Sequence, residues 1–400
     1  MTSAAHGHAV PVLDLDPYAD DVLADPTAFH TSLREAGPVA WLSRYGVYAA
    51  GGYDEVRAGL SNPQDLVSSA GVGLTDLRRA STFRTPSLLI EADPPAHTAR
   101  RVIMDSVLNA RALRTLRDQV ADAAIEVVDQ ALAAGTVDGI TALAEALPLT
   151  VFPRLVGLSD SVRPHLLTYG DLVFNSGGPA NAHLERALSN AGDAITAIAE
   201  QTRRENLTTD GIGARIWAAV DHGELPAEEA PLLIRSLLTA GVDTTVSAIA
   251  ATLHYLAESP DQWEILRSDP RRARFAFEEA IRHDSPVQTF YRTAIRPVDL
   301  GGVTLQTDTK ILLSLGAANH DPRRFPDPDH FDLNRAMSGH VGFGMGVHQC
   351  VGQHFGRLEG EALLTALVTR VRSLEPAGPP ERRLNNTLRA WRKLPLRLAS

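Results

Sequence analysis

The chain reads as a mainly α, α+β protein, a prediction that rests on three observations. Apolar residues recur at helical spacing over several long stretches, strand-like segments are few and short, and one long central stretch is apolar nearly throughout. With 400 residues and 44% hydrophobic content the chain can bury a large core. No linker, low-complexity block or internal repeat divides it, so residues 1–400 are expected to form a single domain.

Taken in order, residues 39–42 and 46–49 frame an early hairpin. Helical spacing then runs over residues 118–134, 182–201, 231–258, 273–283 and 353–372. A strand is expected at 310–315 and another at 388–398, giving one or two small sheets. The stretch 231–258 is long enough to tempt a membrane assignment, yet Arg235, Asp243 and His254 interrupt it, which predicts a buried central helix. The N-terminus lacks a basic region followed by an apolar run, so a soluble cytoplasmic protein with no membrane anchor is expected.

The net charge of −10 argues against nucleic acid as a partner. A single cysteine excludes an internal disulfide and leaves the thiol free for a metal. That cysteine closes the run Phe343-Gly344-Met345-Gly346-Val347-His348-Gln349-Cys350-Val351-Gly352, just where a helix should begin. Backbone N–H groups and the helix dipole there are expected to lower the thiol pKa and favour an anionic ligand. Gly344 and Gly346 permit a tight turn against which a flat ligand can lie. Haem iron held by one Cys thiolate fits this pattern, with a structural cysteine after a glycine-rich turn as the plainer alternative.

At every fixed position this run resembles the haem-binding signature of the cytochrome P450 superfamily, Phe-Gly-x-Gly-x-His-x-Cys-x-Gly. The resemblance implies the P450 fold, a long central helix over haem b (iron protoporphyrin IX), Cys350 as the metal ligand, and Phe343, Gly344, His348 and Gly352 in the haem cradle. Ala240-Gly241-Val242-Asp243-Thr244-Thr245 places Gly, Asp and Thr inside the central helix, where Gly alone costs roughly 1 kcal/mol relative to Ala. A Thr hydroxyl bonded to the preceding turn can bend the helix and make room for a small ligand. The run is similar to the family's oxygen-activation motif, which implies that Ala240 and Gly241 border the haem and that Asp243 and Thr244 guide protons.

Glu279-Ala280-Ile281-Arg282 resembles the family's Glu-x-x-Arg, with Arg335 as its expected third member; the resemblance implies a buried structural role. His97 and Arg101 share a helix face, and with Arg292 and His348 they are similar to family ligands of the haem propionates.

Within the superfamily the chain resembles the bacterial monooxygenases that oxidise para-substituted benzoic acids and O-demethylate 4-methoxybenzoate. The similarity is closest in Arg84-Thr85-Pro86-Ser87-Leu88-Leu89-Ile90, in Pro231-Leu232-Leu233-Ile234-Arg235-Ser236 and in Ser285-Pro286-Val287-Gln288-Thr289-Phe290. Arg235 and Ser236 lie about two turns before Asp243, roughly 10–12 Å, a distance that suits a small benzoate. Arg84 and Ser87 could close on the same carboxylate, and Phe174, Val287 and Phe290 would supply apolar walls. One departure is Gly177, near which relatives carry a second aromatic; a looser loop or a larger cavity, tolerant of bulkier benzoates, is expected.

The resemblance further implies dioxygen and an iron–sulfur ferredoxin, with its flavin-dependent NAD(P)H reductase, as partners. Alternatives carried alongside are oxidation of a terpene, fatty acid or macrolide, and a haem-based sensor or carrier.

Overall fold

The computed structural model describes residues 10–80, 85–336 and 339–400. The helices that frame the site are α1 (Ala96–Leu108), α2 (Arg117–Ala134), α3 (Arg163–Asn175), α4 (Ala230–Ala240), α5 (Asp243–Glu258), α6 (Ala273–Asp284) and α7 (Gln353–Arg370). Their apolar stripes meet in one large core, in which Met104, Val128, Leu147, Leu253, Ala280 and Leu367 are all buried. α7 lies along α2, while α5 crosses the middle between α6 and the C-terminal strands. Burial along almost all of α5, from Asp243 to Ala257, accounts for its continuous hydrophobicity. By length and composition alone Ala230–Glu258 could cross a membrane, but its face is spent on this core.

Two expected helices are broken. The 231–258 stretch divides at Gly241 and Val242 into α4 and α5. A Cβ built on Gly241 would stand 2.2 Å from the Phe152 ring, so the aromatic ring sits where a helical side chain would be. The 182–201 stretch divides at Ala191 into Ala182–Asn190 and Gly192–Gln201. The bend lets Ala187 of the first piece and Ile198 of the second both reach buried neighbours.

The sheets are more numerous than the sequence predicts. Among the described residues there is a six-stranded sheet, in the order Val12–Leu13, Ala40–Leu42, Val47–Ala50, Lys310–Ser314, Thr289–Ala294 and Leu66–Val67, plus a three-stranded sheet and two hairpins. The early hairpin is antiparallel as expected, with Trp41 opposite Tyr48. Strands of two or three residues show no measurable alternation, and their pairing partners are remote in sequence, which is why they escape a periodicity reading. The 388–398 segment is two strands. Ala390–Lys393 pairs with Glu381–Arg383, whereas Pro395–Ala399 pairs with Ser373–Pro376 and Thr136–Asp138.

Glu279, Arg282 and Arg335 knit this frame behind the site. Arg282 donates from Nε and Nη2 to the two Glu279 oxygens at 2.8 and 2.9 Å, and Arg335 Nε adds a third bond at 3.0 Å. The Glu279 and Arg282 side chains are wholly buried. Remaining guanidinium donors reach the carbonyls of Asn319, Asp327 and His330, so both charges are satisfied without water.

Candidate active site

The 343–352 loop folds back on itself. Cys350 N donates to Phe343 O at 2.9 Å and Gly344 N to Val341 O at 2.8 Å, while Gly344 and Gly346 both adopt φ of +68°. A side chain at either glycine would be strained there. Cys350 thus arrives just before α7, close to the backbone N–H groups of Gly352 and Gln353. Burial nonetheless pushes its thiol pKa up, outweighing those groups and the charges of Arg101 and Arg357. The expected lowering is therefore overturned: in the protein alone, removing a thiolate from water costs more than the N–H groups return.

Arg101 is bound to this loop. Its Nη1 donates to Gln349 O at 2.6 Å and Val347 O at 3.3 Å, and its Nε to Asp105 at 2.9 Å. Beside it the rings of His97 and His348 lie 4.4 Å apart. His97 Nδ1 and His348 Nε2 are buried without hydrogen-bond partners. Burial, reinforced by Arg292, holds the His348 pKa down at about 3. Arg292 is itself enclosed, and its Nη1 donates to Tyr291 O at 2.8 Å. Burial lowers its pKa to about 10. Two imidazole nitrogens lacking partners and the Arg101 guanidinium form a donor-rich rim, with the buried Arg292 behind it, which fits an anionic carboxylate pair such as the propionates of haem.

Opposite Cys350 is the break between α4 and α5. Thr244 Oγ1 donates to Ala240 O at 2.8 Å, the bond to the preceding turn that the sequence predicts. Asp243, the residue before it, faces another way. It does not line the cavity but turns toward Arg383, whose Nη2 donates to its Oδ1 at 2.5 Å, while its Oδ2 is buried without a partner. Burial raises its pKa and Arg383 pulls it back.

Between these walls runs a largely apolar cavity of about 550 Å³. Of the predicted haem-side residues, His97, Arg101, Ala240, Gly241, Thr244, Phe343, Gly344, His348, Cys350 and Gly352 all line it, whereas Arg292 lies behind the rim. On the same cavity wall Ser87 and Ser236 meet, Oγ to Oγ, at 3.1 Å. Arg235 Nη2 donates to Thr85 O at 2.6 Å and also borders the cavity. Phe174, Val287 and Phe290 form walls, as predicted. Arg84 lies outside the described residues.

Gly177 departs from its expectation of spare room. A Cβ there would stand 2.5 Å from Thr387 Oγ1, so that space is already filled by neighbours. Sequence reasoning also misses Arg383, Thr387 and Glu359. Glu359 is a wholly buried acid on α7 with no partner for either oxygen, and burial drives its pKa well up. Its only signal is a charged residue on an otherwise apolar helix face.

This fold and site define a class, and comparison with known proteins gives the same one. The sequence profile described as "Cytochrome P450" matches residues 149–398. The chain belongs to the cytochrome P450 family, monooxygenases that use haem b and dioxygen and take electrons from redox partners. It is 50% identical over 398 residues to "Cytochrome p450 CYP199A2" of Rhodopseudomonas palustris, covering 99% of this chain and 97% of that one. It is 32% identical to "Cytochrome P450 monooxygenase PikC" of Streptomyces venezuelae, covering 97% and 94%. Among solved structures, CYP108D1 of Novosphingobium aromaticivorans superposes with a TM-score of 0.82 at 27% identity, covering 95% of this chain and 94% of that one.

Proposed function

We propose that the protein oxidises para-substituted benzoic acids, foremost by O-demethylation of 4-methoxybenzoate and also by hydroxylation of 4-alkylbenzoates. The observation that carries this reading is the polar group Ser87, Ser236 and Arg235 on the wall of a largely apolar cavity that Cys350 and Thr244 also line. A carboxylate accepts hydrogen bonds from both hydroxyls and from the guanidinium, and the aromatic ring then extends along the apolar walls. Anchoring one end of a rigid molecule fixes which substituent meets the reactive centre, so recognition becomes regioselectivity.

Cys350 would hold the haem iron through its sulfur, and His97, Arg101, Arg292 and His348 would take the propionates. Haem supplies the activation of dioxygen when bound. The chain's own residues do the rest. Phe174, Val287 and Phe290 exclude water around the ring. Thr244 Oγ1 holds a proton at the helix break, and Asp243, the residue before it, is held beside that position by Arg383. For a methoxy substrate the balance is ArOCH3 plus O2, two electrons and two protons, giving ArOH, formaldehyde and water. An iron–sulfur ferredoxin and its flavin-dependent NAD(P)H reductase would deliver the electrons.

The test is titration of the haem-loaded ferric enzyme with 4-methoxybenzoate, followed by product analysis under electron supply. A shift to high-spin iron with formation of 4-hydroxybenzoate and formaldehyde supports the proposal. No response to benzoates alongside a strong response to a neutral terpene or fatty acid overturns it.

A further inference from the structure

Lys310 opens the strand Lys310–Ser314, and its ammonium is bound entirely by main chain. Nζ donates to the carbonyl oxygens of Ala70 at 3.3 Å, Gly71 at 3.0 Å, Gly73 at 2.9 Å and Thr75 at 3.3 Å. Three N–H groups shared among four acceptors gather the whole 70–75 segment around one cation. The Tyr291 ring centroid lies 5.6 Å from Nζ and adds a favourable face. Among the described residues Lys310 makes no ion pair. Of the 38 basic residues in the chain only Lys310 and Lys393 are lysines. A compact ammonium fits inside a ring of carbonyls where a planar guanidinium would not.

The segment so gathered forms part of the cavity wall, through Gly71, Val72, Gly73 and Thr75. It is tied on two further sides. Tyr291 N donates to Val72 O at 2.9 Å, and Leu74 N donates to Gly177 O at 2.9 Å. Gly73 and Gly177 touch backbone to backbone, since a Cβ on Gly73 would stand 2.7 Å from Gly177 Cα and O. Across the contact, Asn386 fixes the end of α3: its N donates to Asn175 Oδ1 at 3.1 Å and its Nδ2 to Asn175 O at 2.9 Å.

We propose that Lys310 is a positioning residue of the substrate pocket. Its ammonium holds residues 70–75 as a ring pressed on Gly177, and this closed roof sets how tightly a small ligand is gripped. Lys310 touches no substrate. The proposal rests on the reading of this cavity as the substrate pocket, but the clasp itself is testable without any ligand.

The experiment compares the full-length, haem-loaded wild type with Lys310→Ala by hydrogen–deuterium exchange and by 4-methoxybenzoate titration, each with and without added ammonium ion at constant ionic strength. Exchange of residues 72–75 and 174–178 should rise about tenfold or more in the variant, with α7 unchanged, the equivalent of about 1.4 kcal/mol of lost closure. The dissociation constant should rise about fivefold or more while kcat at saturation changes less than about twofold, the pattern of lost uniform binding. Ammonium, but not sodium, should reverse both effects in part. Unchanged exchange in the two segments, or faster exchange spread over the whole molecule, overturns the proposal. A wild type that ignores benzoates removes the substrate reading while the exchange result still decides the clasp. If Lys310→Ala does not load haem, Gly73→Ala, which forces the two backbones apart with Lys310 intact, must show the same local exchange or the proposal falls.

Discussion

Arg383 Nη2 donates to Asp243 Oδ1 at 2.5 Å and leaves the second carboxylate oxygen buried with no partner. A strand near the C-terminus therefore controls the charge of the first residue of the central helix. Burial raises the Asp243 pKa and Arg383 opposes the rise. Arg383→Gln removes the opposition, so the carboxyl stays protonated to higher pH. The acid limb of the turnover profile should move upward by about one unit or more, with a larger solvent isotope effect. An unmoved profile would show that Asp243 does not titrate on the proton path.

Cys350→Ala should abolish turnover and the thiolate-type carbon monoxide spectrum while leaving the fold intact by circular dichroism. Turnover retained at normal haem content would exclude Cys350 as the iron ligand.

Thr244→Ala removes the hydroxyl at the helix break. Consumption of NAD(P)H should continue while product per electron pair falls several-fold, and Thr244→Ser should recover most of the coupling because the hydroxyl returns. The ratio of product to NAD(P)H is the measurement, and an unchanged ratio excludes the role.

Arg235→Leu together with Ser236→Ala should weaken 4-methoxybenzoate binding roughly 10- to 100-fold, the worth of one or two hydrogen bonds to a charged group. The methyl ester, which carries no charge, should be nearly indifferent. Equal losses for acid and ester would place the carboxylate elsewhere.

Asp284, at the end of α6, is wholly buried and accepts from Arg382 at 2.8 and 3.0 Å, from Arg389 at 2.8 Å and from Tyr255 at 2.9 Å. The two guanidinium groups hold its pKa far below the usual carboxylate range against the pull of burial. A depressed folded pKa means stabilisation that is present above the unfolded value of 3.8 and is lost as pH falls below it. Asp284→Asn should cost about 3–5 kcal/mol near pH 7, by leaving buried guanidinium charge unpaired, and the gap to wild type should narrow below about pH 4. Urea denaturation at both pH values checks the sign.

What was legible in the sequence was local. The glycine loop around Cys350, the Thr244 turn and the Glu279–Arg282 pair each lie within a few residues, so residue type and spacing carry them. What was not legible depends on chain segments that meet only after folding. Arg383 reaches Asp243 from 140 residues away because Glu381–Arg383 and Ala390–Lys393 form a hairpin beside α5. The bend at 240–245 is legible from its Gly, Asp and Thr, but the ring that fills the space beside Gly241 is not, because Phe152 comes from another helix. Gly177 misled for a related reason: a missing side chain reads as space, but here Thr387 occupies it.

The ring of Phe152 also constrains how this pocket can change. Any side chain at Gly241 meets that ring at 2.2–2.4 Å, so a first substitution there fails even if its final effect would be useful. A smaller residue at 152 removes that clash and leaves the Leu237 carbonyl oxygen, 2.8 Å from the same Cβ, as the neighbour that must still shift before position 241 accepts a methyl group. The order of steps, not the endpoint, decides which variants a stepwise search can reach. Libraries that vary the two positions together should therefore recover active Gly241→Ala enzymes that single-site libraries discard.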